Sequence, residues 1–302
     1  MSKYKFCKTI FLILLMAGGS FGFGQQYRII TDIPYTENRA SNKQLLDVYI
    51  PESDSLMPCL VWVHGGAWLA GSKDGLAPEI DTMLFHGYVV ASIGYRLSSE
   101  AIFPAQIQDC KAALRYLKTK SQDFKIDSSR IAVAGASAGG HLAALLGTSC
   151  GVGFLEDPDQ GYPDVSSRVK AVIDYYGPTD FLIMDNLPVT PPEKCENAMV
   201  HLTPNSPESL LLGCNIEDCP EMVKQANPIT YISPDDPPFL IFHGTFDCVV
   251  TPRSSLLLEK ALKENSLSVN LHLIPGAGHG GEQFLRQEIK TQLIHFLDEI
   301  LL

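Results

Sequence analysis

Positive charge is in short supply in this chain of 302 residues: 23 lysines and arginines stand against 34 acids, a formal net charge of −11. A surface of that sign repels nucleic acid and other anionic polymers, which excludes them as natural partners. Long apolar runs are also lacking. The N-terminal run Ile10–Ala17 ends at Gly18 and Gly19, about half the roughly 20 residues a bilayer span requires. No cysteine stands just after that run, Cys7 lying before it, so neither a membrane anchor nor a lipid anchor is expected. Neither internal repeats nor low-complexity linkers occur. With 45% hydrophobic and 19% charged residues, the composition is that of one globular unit with one large core.

What is present begins with Lys3, Lys5 and Lys8 ahead of the apolar run and the small residues Gly22 and Gly24 after it. This pattern reads as a secretory signal peptide over residues 1–24, cleaved near Gly24, leaving one domain over 25–302 in a secreted or periplasmic protein. Cleavage removes three lysines and no acid, so the mature chain is more acidic still. Seven cysteines remain, an odd number. Cys59, on an apolar strand, and Cys110, on the buried stripe of a helix, read as unpaired small hydrophobes. Of the five in loops, Cys214 and Cys219 close a small ring and form the expected disulfide. A bridge from Cys248 to Cys219 or Cys195 is the alternative.

Arg28–Ile33 and Gln44–Ile50 predict an opening antiparallel pair. Leu60–Val63, fully apolar, predicts a buried central strand. Helix, strand, helix and strand follow at Ala77–His86, Tyr88–Ile93, Phe103–Lys120 and Ile131–Ala134, an alternation that implies parallel crossovers. Ile107, Cys110, Leu114 and Leu117 share one face of the clearest helix. The alternation stops at an insertion over 149–168 and resumes with Val169–Tyr175. A second insertion, 177–238, is proline-rich, with short helical stretches at Pro207–Leu212 and Glu221–Gln225. Segments of this kind commonly cover an active site. Phe239–His243 and Ser268–Ile274 predict strands, Pro252–Asn265 and Glu282–Leu302 helices.

The stretch Ile131–Leu146, IAVAGASAGGHLAALL, runs from strand to helix through Ser137, with Gly135 and Gly139 two positions to either side. A serine hydroxyl is a poor nucleophile unless a sharp turn exposes it to a base, and this is the pattern of such an elbow. A dinucleotide-binding loop has similar glycines, but it calls for an acid ending a second strand about 20 residues on. Glu156, Asp157 and Asp159 lie in a loop with proline and glycine instead.

Serine chemistry also needs a base and a carboxylate that orients it. Asp247 follows the strand ending at His243, and His279 stands in GAGHGG after the strand ending near Ile274. Both loops leave the carboxyl ends of their strands, the edge of a parallel sheet where the elbow also lies. Asp174, Asp180, Asp235 and Asp236 are rival acids, Asp180 foremost. The other histidines, His86, His141, His201, His243, His272 and His295, read as packing or surface residues. An oxyanion needs converging donors, and His64-Gly65-Gly66-Ala67-Trp68, directly after a strand, offers the N–H groups of Gly66 and Ala67 to join that of Ala138. Trp68, Tyr95, Tyr175 and Tyr176 either shape a substrate pocket or pack the core.

The order serine, acid, histidine, the HGGAW loop, and the phrases LDVYIP, FPAQIQDCKAALRYLK, ANPITYISPDDPPFLIFHG and GAGHGG resemble the α/β-hydrolases near the hormone-sensitive-lipase-like esterases. They are most similar to the bacterial feruloyl-esterase and acetyl-xylan-esterase-like branch, over roughly Leu45 to the C-terminus. Ala67, where many relatives carry a third glycine, is a departure. The resemblance implies an α/β fold with a mostly parallel central sheet, helices on both faces and an inserted lid region. It also implies a secreted serine esterase that removes acyl groups from plant cell-wall carbohydrate, a small-molecule or polysaccharide ester, with no cofactor or metal. A general short-chain carboxylesterase, an arylformamidase-like or peptidase-like amide hydrolase, and a non-catalytic binding protein are the alternatives.

Overall fold

The computed structural model describes residues 27–185 and 198–302; the expected signal peptide therefore lies outside the described residues, and Cys195 outside them too. Eight strands form one sheet: β1 Tyr27–Pro34, β2 Leu45–Pro51, β3 Met57–Val63, β4 Val89–Ile93, β5 Ile126–Ala136, β6 Val172–Tyr175, β7 Phe239–Gly244 and β8 Val269–Ile274. Their order is β1-β2-β4-β3-β5-β6-β7-β8. β1 and β2 pair antiparallel, as expected, and so do β2 and β4. From β4 through β8 every pairing is parallel.

Helices α1 Pro78–Phe85, α2 Ala105–Thr119, α3 Ala138–Thr148, α6 Arg253–Glu264 and α7 Gln287–Leu301 cover the sheet. Strand residues alternate between two cores, because successive side chains point to opposite faces. Val61 and Val63 join one core with Leu114 and Leu145, whereas Leu60 and Trp62 join the other with Leu84 and Leu297. Each buried aliphatic side chain of this kind contributes about 1.5–3 kcal/mol. With both faces covered, the ends of the parallel strands are left for chemistry.

Several boundaries differ from the sequence reading, among them the start of β3, at Met57 rather than Leu60. β5 starts at Ile126 rather than Ile131, because Met57 pairs with Ile126 across a register shift; the polar stretch Asp127–Arg130 hides that start from a hydrophobicity pattern. β6 starts at Val172 rather than Val169. The closing helix is preceded by a separate turn at Glu282–Leu285, since Arg286, with ψ of 146°, is extended.

The insertion over 149–168 is held on α2 by cations that helical periodicity would have placed in water. Lys111 Nζ donates to Glu156 Oε1 at 2.9 Å, and Arg115 Nη1 donates to Glu156 Oε2 at 3.0 Å. Both cations are buried. The second insertion carries α4 Pro207–Leu212 and α5 Pro220–Ala226, close to the two short helices expected. Phe103 N–H donates to Leu211 O, and buried His141 donates from Nε2 to Ala226 O at 2.8 Å. Cys214 and Cys219 form the expected disulfide, which rules out the bridge from Cys219 to Cys248; Cys59 and Cys110 are free and buried.

Candidate active site

Ser137 stands between β5 and α3 with φ 57° and ψ −122°, a conformation outside the regions a side chain ordinarily adopts, at a cost on the order of 1–3 kcal/mol. Two hydrogen bonds hold it there: its N–H donates to Tyr175 O at 2.9 Å, and its carbonyl accepts from His141 N–H at 3.0 Å. The flanking glycines are required by close approach. A Cβ on Gly135 would lie 2.1 Å from Gly139 O, and one on Gly139 would lie 2.1 Å from Val63 O. Strand and helix meet at this turn with no space for a methyl group.

The three loops expected at one sheet edge do meet there. Ser137 Oγ lies 2.8 Å from His279 Nε2, and His279 Nδ1 lies 2.7 Å from Asp247 Oδ2. A carboxylate only accepts, so Nδ1 carries the proton and Nε2 is free to accept from the serine hydroxyl. Asp247 is fully buried. Its Oδ1 accepts from the N–H groups of Val249 and Val250, each at 2.9 Å. Burial pushes its carboxyl up, but the hydrogen bonds from His243 and His279 outweigh it and hold the carboxyl well below its usual range. The surroundings of Asp247 thus favour the anion.

Three of the four rival acids are engaged elsewhere. Asp180 Oδ1 accepts from Leu182 N–H, Asp236 from Ser233, and Asp174 from Gly177 N–H. Burial raises the Asp174 carboxyl to about 6, but its bond runs to the backbone and not to His279.

Sequence reasoning missed His243. It is fully buried, and its Nε2 lies 2.9 Å from Val250 O and 3.3 Å from Asp247 Oδ2. Two acceptors facing one nitrogen place the proton on Nε2, and Ser255 Oγ sits 2.7 Å from Nδ1. The signal was available: His243 and Asp247 are four residues apart in HGTFD, one at the strand end and the other in the loop it enters.

The loop after β3 approaches the same serine. Gly66 has φ 110°, and a Cβ there would fall 2.3 Å from Ala70 O; only glycine fits. Ala67 and Trp68 follow with φ 55° and 56°. Gly66 O accepts from the N–H groups of Leu69 and Ala70, while among the described residues the N–H groups of Gly66 and Ala67 donate to no protein acceptor. His64 anchors the loop from behind. Its Nδ1 donates to Gly65 O at 2.7 Å and its ring stacks on Tyr95 at 4.3 Å, with burial lowering its pKa to about 4. Of the four aromatic residues with two possible roles, Trp68, Tyr95 and Tyr175 are core residues. Tyr176 alone is half-buried, its ring 4.6 Å from that of His279.

This fold recurs in known proteins. A truncated form of a carbohydrate esterase from gut microbiota superposes with a TM-score of 0.81 at 32% identity, over 90% of this chain and 95% of that one. An acetyl ester-xyloside bifunctional hydrolase from Caldicellulosiruptor lactoaceticus gives a TM-score of 0.72 at 25% identity, over 89% of this chain and 96% of that one. The fold is that of the α/β-hydrolases. Esterase LipC of Mycobacterium tuberculosis is 33% identical over 247 residues, 78% of this chain and 57% of that protein. The chain spans about half the length of the curated relatives it matches. The BD-FAE family model matches residues 46–262, a stretch that takes in the loop at Gly66, the elbow at Ser137 and the acid Asp247. By that match the chain belongs to the BD-FAE family.

Proposed function

We propose that this chain is a serine carboxylic-ester hydrolase acting through an acyl-enzyme on Ser137. The observation that carries the reading is the unbroken hydrogen-bonded line from Ser137 Oγ through His279 to Asp247. His279 Nε2 takes the hydroxyl proton as Oγ attacks the ester carbonyl, and Asp247 stabilises the imidazolium that results. The N–H groups of Gly66, Ala67 and Ala138 receive the oxyanion. Collapse breaks the bond to the alcohol oxygen, which leaves with the proton from Nε2. Water then attacks the acyl-enzyme by the same route and frees the acid.

For substrate, we read an acetyl or feruloyl ester of plant cell-wall carbohydrate. Support comes from the resemblance of the motifs and from the carbohydrate esterase and acetyl ester-xyloside hydrolase among the similar structures. We also read the protein as exported, on the basic and apolar pattern of residues 1–24; no described helix is long and apolar enough to cross a membrane. The stretch 177–238 is read as the cover of the site. Its support is the bond from His201 Nε2 to Val249 O, beside the acid.

The test is Ser137→Ala. Turnover of activated acetate esters is expected to fall by on the order of 10⁴-fold or more with the fold intact by circular dichroism. Undiminished turnover refutes the assignment. A panel of nitrophenyl acetate, methyl ferulate, acetylated xylan, formylkynurenine and a peptide amide separates the ester reading from the amide alternatives, and hydrolysis of the amides alone overturns it.

A further inference from the structure

Tyr176 is the last residue of the DYY segment and follows β6 directly. Its φ is 45°, a left-handed conformation that bulky residues seldom adopt and that persists where the surroundings enforce it. Here its N–H donates to Phe242 O at 2.8 Å. Its ring meets the edge of His279 at 4.6 Å and of Phe284 at 4.9 Å. The hydroxyl lies near Gly280, 3.1 Å from where a Cβ would stand on that glycine. Among the described residues this hydroxyl has no hydrogen-bond partner, although Tyr176 is only half-buried. A strained backbone thus holds a phenol against the flank of His279, with its polar end free.

The sheet order says which half of a substrate it meets. β5, with Ser137, separates β3 on one side from β6, β7 and β8 on the other. The carbonyl oxygen is drawn to the β3 side by the loop at Gly66. His279 must deliver its proton to the departing alkoxide, so the alcohol oxygen stands before Nε2 on the β8 side. Whatever touches the ring of His279 and faces outward therefore borders the alcohol.

We propose that Tyr176 is a specificity-determining residue of the alcohol subsite, donating from its hydroxyl to a hydroxyl neighbouring the ester on a polyhydroxylated leaving group such as a sugar. The inference rests on the ester-hydrolase reading and narrows it to esters of polyols. Burial, with the charges of Glu79 and Asp247 behind it, pushes the phenol well above its ordinary range, so the group stays a neutral donor. The ring supplies the apolar platform, and the hydroxyl distinguishes a sugar from a hydrocarbon of the same size.

The experiment compares a mono-O-acetyl methyl xyloside, with free hydroxyls beside the ester, against cyclohexyl acetate. The full chain and its Tyr176→Phe and Tyr176→Leu variants are assayed, with thermal melts to verify folding. The full chain is expected to favour the xyloside, and Tyr176→Phe to lower the ratio of the two kcat/KM values by about tenfold, the effect of one lost neutral hydrogen bond. Tyr176→Leu removes the ring contact on His279 as well and lowers kcat on both esters. A ratio unchanged in Tyr176→Phe, with Leu depressing both esters equally, shows Tyr176 to be a support for His279 only and overturns the inference while leaving the hydrolase reading in place. Failure of the unaltered chain to hydrolyse either ester overturns both.

Discussion

In the loop leaving β7, Asp247 accepts from Val249, Val250, His279 and His243. In the loop leaving β3, Gly66, Ala67 and Trp68 run through three successive positive φ values, and the N–H groups of Gly66 and Ala67 are left unpaired among the described residues. Both loops border the same serine, and both cost something to form. The acid loop removes a charge from water and recovers the loss through donors placed around it. In the reading proposed above, the other loop keeps its donors for a charge that exists only while the ester is being opened, the arrangement that stabilises a transition state over a ground state. One loop is saturated so that it does not move. The other is unsaturated so that it can bind.

The sharpest way to break this contrast is Asp247→Asn. The amide keeps the shape but presents an N–H where a carboxylate accepted, and His279 is then driven to the wrong tautomer. A loss of about 10⁴ in kcat is expected, as in triads of this type, read by single-turnover kinetics with an activated acetate. A loss under tenfold would mean that the carboxylate is not the orienting group.

Next is Gly66→Ala, aimed at the unsaturated loop. Its methyl would sit 2.3 Å from Ala70 O at φ 110°, so the loop must shift and carry the Gly66 and Ala67 N–H groups with it. Loss of one such donor costs about 10²–10³ in kcat in comparable sites. KM for a small ester is expected to change far less, since the donors act on the transition state.

A smaller effect is expected from His243→Phe, which removes one of four donors from Asp247 and leaves Val250 O and Ser255 unpaired. Activity should fall about tenfold and stability by about 1–3 kcal/mol, measured by urea denaturation. His243→Gln restores an N–H donor and is expected to recover most of the activity; equal losses in both variants would assign His243 to packing.

Legibility followed the range of the interactions. Ser137, Asp247 and His279 were readable because each sits in a short glycine-marked loop at a strand end, and the parallel alternation that gathers those ends is itself local. The loop at Gly66 and Ala67, proposed with Ala138 to receive the oxyanion, is marked by glycines in the same way. His243 was not readable, because its role depends on Asp247 turning back onto the strand end, and a histidine at the end of an apolar strand looks like packing. The burial of Lys111 and Arg115 was not readable either, because their partner, Glu156, returns more than 40 residues on. Nor does any pattern separate Tyr176 from Tyr175: that β6 ends between them, and that a positive φ follows, are properties of the folded turn.

The smallest expected effect tests whether the saturated loop is supported from outside. His201 donates from Nε2 to Val249 O at 2.9 Å, and its Nδ1 lies 3.0 Å from Glu208 Oε2, both side chains buried. Burial lowers the imidazole pKa, but Glu208, with smaller contributions from Val249 O and Asp185, outweighs it, and the net shift is upward. A pKa raised in the folded state means that protonation stabilises the fold. That stabilisation is complete below about 6.5, the unfolded value, and is lost as pH rises through the folded one. His201→Gln keeps a donor for Val249 O but cannot become a cation. The unaltered chain is therefore expected to lose more melting temperature than His201→Gln between pH 6 and pH 9, by on the order of 1–2 °C for a protein of this size. Parallel melting curves across that range would show that the acid loop holds its geometry without the ion pair beside it, and that its own four donors suffice.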